Sequence, residues 1–85
     1  MRGMDNSPIK DALGLILSEA RRAARKHPPL NSAHEGYAVL LEEVDELKAE
    51  VWKRDRDIAA MRAEAVQVGA MALRFIIDVC DKKAK

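Results

Sequence analysis

Glu64-Ala65-Val66-Gln67-Val68-Gly69-Ala70-Met71-Ala72-Leu73-Arg74-Phe75-Ile76-Ile77-Asp78-Val79-Cys80 is the stretch that fixes the fold class. Between Ala65 and Cys80 only Gln67, Arg74 and Asp78 are strongly polar, and with Glu64 they follow steps of three, seven and four. At 100° per residue those steps collapse onto one narrow stripe, while apolar or small residues fill roughly 220° of the circumference. Such a helix must be covered from more than one direction. Helices of its own chain cover part of it, and a second subunit is expected to finish the work. Gly69, Ala70 and Ala72 let neighbouring backbones approach closely.

Upstream, the same period recurs twice. Ser7-Pro8 reads as an N-cap with proline at the first helical position, where its missing N–H costs nothing. Ile9, Ala12, Leu13, Ile16, Ala20, Ala23 and Ala24 then recur every three or four residues until Pro28-Pro29 ends the helix. Ser32-x-x-Glu35 is a capping box that opens a second helix. Its apolar stripe is Ala33, Tyr37, Leu40, Val44, Leu47 and Val51, with Glu42, Glu43, Glu46 and Glu50 on an arc beside it. Asp57 caps the third helix. Sustained alternation and Asn-Gly or Asp-Gly turns are missing, so no strand is expected. The reading is all-α: one domain over residues 1–85, with helices at roughly 8–27, 32–54 and 57–81.

Eighty-five residues build only a marginal core, yet 48% of them are hydrophobic. That excess points to a homo-oligomer, dimer or tetramer. Fifteen basic residues against fourteen acidic ones leave a net charge of +1, which argues against nucleic acid as the main partner. Cys80 is the only cysteine, excluding an intramolecular disulfide and a cysteine-rich zinc site. The chain opens without a signal segment and has no run of about 18 apolar residues, so the expectation is a cytoplasmic protein that does not enter a membrane.

The charged residues allow two readings each. Glu43 and Glu46, three apart, share a helix face, and Glu64 and Gln67 repeat that spacing on the third helix. If the two helices pack antiparallel, three carboxylates and an amide meet, an oxygen set suited to magnesium or manganese. The alternative is an ordinary solvated acidic face with i,i+3 and i,i+4 support from Lys48. Glu64 and Gln67 weigh towards the first, because an unpaired charge on a mostly apolar helix is costly. The cations Arg21, Arg22, Arg25 and Lys26 either offset the helix dipole or touch phosphate. Arg74 and Asp78, four apart, form an ion pair in the stripe. Trp52 and Tyr37 either line a base pocket or edge the core.

Leu41-Glu42-Glu43-Val44-Asp45-Glu46-Leu47, followed about twenty residues later by Glu64-Ala65-Val66-Gln67 at the start of an apolar helix, resembles the MazG-like all-α nucleoside triphosphate pyrophosphohydrolases. The family pattern is Glu-Glu-x-x-Glu on one helix and Glu-x-x-Asp on the next. The likeness spans roughly Ser32 to Asp78, and His34 through Trp52 is similar to short, phage-type or mobile-element members. It implies a subunit of a helical bundle completed by oligomerisation, with sites near subunit interfaces. It also implies magnesium-dependent hydrolysis of a nucleoside triphosphate to the monophosphate and pyrophosphate. Carried over by position, Glu43, Glu46 and Glu64 are metal ligands and Glu42 is the acidic neighbour that handles a water. Gln67 stands where the family has its final aspartate: its amide oxygen can still meet a hard cation but brings no charge. Arg21, Arg22, Arg25, Lys26 and Trp52 are the expected substrate contacts. The competing expectation is a helical oligomer with little or no activity that binds nucleotides or another protein.

Overall fold

The computed structural model describes residues 6–82, and they form three α-helices: α1 (Ser7–Lys26), α2 (Ala33–Val51) and α3 (Ile58–Phe75). There is no strand among the described residues. No helix among them is long and apolar enough to cross a membrane. α3 is followed by one wider π-turn, Ile76–Cys80, in which the Asp81 N–H donates to the Ile76 carbonyl at 2.8 Å.

The caps explain the boundaries. Ser32 Oγ accepts the Glu35 N–H at 3.1 Å, and Glu35 Oε1 reaches back to the Asn31 N–H at 2.6 Å. The return bond of the box thus lands one residue before Ser32. Asp57 Oδ1 accepts from the N–H groups of Ala59 and Ala60. α1 begins one residue earlier than its sequence signal: Asn6 is the N-cap, without a side-chain cap bond, and Ser7 and Pro8 lie inside the first turn. α2 stops at Val51 rather than Arg54. Arg56 Nε donates to the Val51 carbonyl at 2.7 Å, so a side chain takes up one of the last carbonyls and the chain turns away.

α3 is the central element. α1 and α2 each pack along it and have almost no contact with one another. Gly36 of α2 lies under Phe75 at the C-terminal end of α3, while Glu43 and Glu46 lie beside Glu64 near its start, so α2 runs antiparallel to α3. α1 runs parallel, with Ile16 against Gly69 and the Pro28 carbonyl beyond its end bonded to Arg74.

The polar stripe of α3 faces inward, into the notch between its two neighbours. Arg74 is buried there, donating to the Pro28 carbonyl at 2.9 Å and lying 3.7 Å from Asp78, and Asp78 Oδ2 accepts the Leu30 N–H at 3.0 Å. The pair expected from its i,i+4 spacing therefore clamps the joint between α1 and α2. It satisfies a backbone N–H and a carbonyl that proline and the turn leave without helical partners.

Apolar burial within the chain is slight. Ala20, Leu30, Ala70 and Met71 are the buried hydrophobic residues among those described. On α2, Leu40, Leu47 and Val51 turn partly towards α3, but Tyr37 and Val44, expected in the same stripe, are exposed together with Leu41. Leu13 and Leu17 on α1 and Ile76 and Ile77 in the π-turn are exposed as well.

Two glycines permit the close approaches. A Cβ on Gly36 would lie 2.7 Å from the Phe75 ring, and one on Gly69 would lie 2.8 Å from Ile16 Cδ1. Ile16 Cδ1 is the free end of a flexible chain, whereas the Phe75 ring edge moves only as a whole. Gly36→Ala is therefore expected to lose about 1–3 kcal/mol through overpacking. Gly69→Ala should be close to neutral, because helix propensity returns up to about 1 kcal/mol. Urea unfolding of the two variants followed by circular dichroism checks this; equal losses would contradict the packing account.

Candidate metal centre

α2 and α3 bring three carboxylates together. Within Glu43, Glu46 and Glu64 one oxygen from each lies within 4.8 Å of the others. The antiparallel register does this: α2 offers two acids one turn apart, and α3 presents Glu64 across from them. Glu43 and Glu64 are half-buried and Glu46 is exposed. Partial burial, then the charges of Glu46, Glu64 and Glu42, pushes the Glu43 carboxyl above its ordinary value of 4.5. Partial burial, then Glu46 and Glu50, does the same to Glu64. Hydrogen bonding with Glu46 adds to both shifts, so Glu46 is the hinge of the trio.

A fourth carboxylate borders them. Glu50 Oε2 pairs with Lys53 Nζ at 3.0 Å, but its other oxygen is buried and has no hydrogen-bond partner. A buried carboxylate oxygen without a donor is costly. The three converging carboxylates offer oxygen donors of the kind a hard divalent cation takes. The residues present fit such an ion.

The shifts have a pH consequence with a definite sign. An acid whose folded pKa exceeds its unfolded one binds more protons when folded, so its contribution to stability falls as pH rises from about 4.5 through the raised value. Cation binding needs the deprotonated forms and strengthens over the same window. Glu46→Gln removes the central charge and should flatten that fall in chelator. Thermal unfolding between pH 4 and pH 8, wild type against variant, tests it; parallel curves would contradict the coupling.

Beside the trio is a cleft of about 420 Å³. Glu42 and Glu43 of α2 form one wall, Glu19, Arg22 and Lys26 of α1 the other, and Gln67, Met71 and Arg74 of α3 the floor. The basic residues thus divide. Arg22 and Lys26, one turn apart, face the acidic wall; Arg21 lines a separate apolar groove with Leu73 and Ile77; Arg25 lines neither. Trp52 caps α2, is 74% exposed and does not line the cleft. Gln67 points its amide nitrogen at α1, donating to Glu19 Oε1 at 2.7 Å.

Set beside known proteins, the chain finds no match. No family model, curated protein or solved structure matches it. The functional reading therefore rests on the geometry above. Sequence spacing had placed Glu50 on the acidic arc without giving it a role. Its i+4 step from Glu46 and i+7 step from Glu43 were the available signal. Glu19 carried no comparable signal, since its partner is 48 residues away and only the parallel packing of α1 joins them.

Proposed function

We propose that the chain is a metal-dependent nucleoside triphosphate pyrophosphohydrolase of the MazG-like type, working as a homo-oligomer. The observation that supports it is the convergence of Glu43, Glu46 and Glu64 from two helices. Arg22 and Lys26 line the same cleft as Glu42 and Glu43, a second sign of charge suited to a polyphosphate. Glu43, Glu46 and Glu64 would hold magnesium or manganese. Such an ion supplies charge neutralisation at phosphate oxygens and a more acidic bound water.

This chain's own groups do the rest. Arg22 and Lys26 hold and orient the triphosphate. Glu42, exposed next to Glu43, takes the proton from the attacking water as the α–β anhydride bond breaks. The products are the nucleoside monophosphate and pyrophosphate. A panel of ribo- and deoxynucleoside triphosphates with magnesium or manganese tests the reading. Pyrophosphate release is expected, and its absence across the panel would reject the enzyme.

The neutral amide of Gln67, where the resembled family pattern has an aspartate, favours one second reading, a helical oligomer that binds nucleotides without turnover. Nucleotide binding in the absence of hydrolysis, with turnover restored by Gln67→Asp, would select it. Either reading needs a cover for Tyr37, Leu41 and Val44 on α2 and Leu13 and Leu17 on α1, and a second copy of the chain supplies one. Light scattering should give a dimer or tetramer; a monomer at micromolar concentration would refute self-association.

A further inference from the structure

Gln67 differs from an aspartate in more than charge. An aspartate has two equivalent oxygens, and either can meet a cation. A glutamine amide has one acceptor prong and one donor prong, and the wrong prong presents N–H groups to the ion. A glutamine at a ligand position therefore needs a neighbour that decides which way it points.

Glu19 is placed to decide it. Its carboxylate accepts hydrogen bonds and does not donate them, so the 2.7 Å contact requires the amide nitrogen of Gln67 on the α1 side. The other prong, the carbonyl oxygen, is then turned off α1. Gln67 lies one turn after Glu64 on the stripe that faces the notch, and it lines the same cleft as Glu43. Arg22 Nη1 lies 3.3 Å from the same Glu19 oxygen and steadies it from the solvent side. The Glu19 side chain is 27% exposed, so the bond is partly shielded from competing water.

We infer that Glu19 is a positioning residue: it fixes the amide of Gln67 so that the carbonyl oxygen is offered to the divalent cation held by Glu43, Glu46 and Glu64. The inference rests on the cation-centre reading above and assigns α1 a part in it. Outer partners of this kind orient the groups that touch a metal, and their loss typically costs about 10–100-fold in affinity.

The test is manganese(II) binding by the full chain, followed by electron paramagnetic resonance. Circular dichroism in chelator checks that each variant keeps its helices. Glu19→Leu should weaken manganese at least about tenfold. Glu19→Gln should stay near wild type, because its own carbonyl accepts the same N–H. Glu19→Ala provides the same contrast as the leucine variant where leucine disturbs the α1–α3 contact. In a Gln67→Asp background the sign reverses: a symmetric carboxylate needs no orienting partner, so Glu19→Leu then leaves affinity unchanged or raises it by removing a nearby like charge. Unchanged affinity in Glu19→Leu would overturn the inference, as would an equal loss in the Gln67→Asp background. A separate arm isolates the parent reading. If the wild type binds no manganese, or Glu43→Gln binds it as well as wild type does, the cation centre itself falls and this role falls with it.

Discussion

Glu43→Gln is expected to lower kcat/KM for pyrophosphate release by about 10²–10³-fold, the rate equivalent of the several kcal/mol that a correctly held cation contributes. The same substitution should raise the melting temperature of the protein in chelator. Glu43 is a half-buried member of the trio with like charges from Glu46, Glu64 and Glu42 around it, and at neutral pH its ionised form weakens the fold. Magnesium should stabilise the wild type and leave the variant unmoved. An acidic surface face without a cation role predicts neither the opposite signs nor the lost magnesium response. Differential scanning calorimetry with and without magnesium, beside a pyrophosphate assay, reads both. A variant that keeps its turnover would remove Glu43 from the site.

The second large effect concerns the clamp. Arg74→Ala is expected to cost about 3–5 kcal/mol, as breaking a buried ion pair from one side usually does. The Arg74 side chain is 7% exposed and that of Asp78 is 17% exposed, so little water reaches the charge left behind. The variant also abandons the Pro28 carbonyl and opens a void beside Met71. Domain stability is typically about 5–15 kcal/mol, so a large share of the total is at risk. Arg74→Lys keeps the charge but loses the planar fork and should fall between the two. Chemical unfolding provides the measurement, and a loss below about 1 kcal/mol for the alanine variant would contradict the clamp.

The parts of this molecule written in local chemistry were legible. Ser32-x-x-Glu35, Asp57 and Pro28-Pro29 mark the joints because capping bonds and a missing N–H act within a few residues. The Arg74–Asp78 pair followed from i,i+4 spacing on one helix. The acidic trio was half legible. Spacing put Glu43 beside Glu46, but only the antiparallel register brings Glu64 to them.

Long-range choices left no such trace. Periodicity assigns α2 a broad apolar arc, and it does not say that α3 covers the Leu40 and Leu47 side while Tyr37 and Val44 stay outside. The parallel course of α1 depends on its packing against α3, and with it comes the Glu19–Gln67 contact. The basic run shows a middle case. Arg22 and Lys26 are a turn apart and Arg21 lies 100° away, so a division was readable; which pair would face the acids was not.

Gly36 has an effect well beyond its own contact. It lets α2 settle against the Phe75 ring at one lengthwise position, and that position decides where the acids seven and ten residues further on arrive opposite Glu64. Slide one rod past the other by a single residue and Glu64 leaves the pair on α2, so the three carboxylates no longer converge. The missing methyl group at one end of the pair acts as the gauge mark for the chemistry at the other.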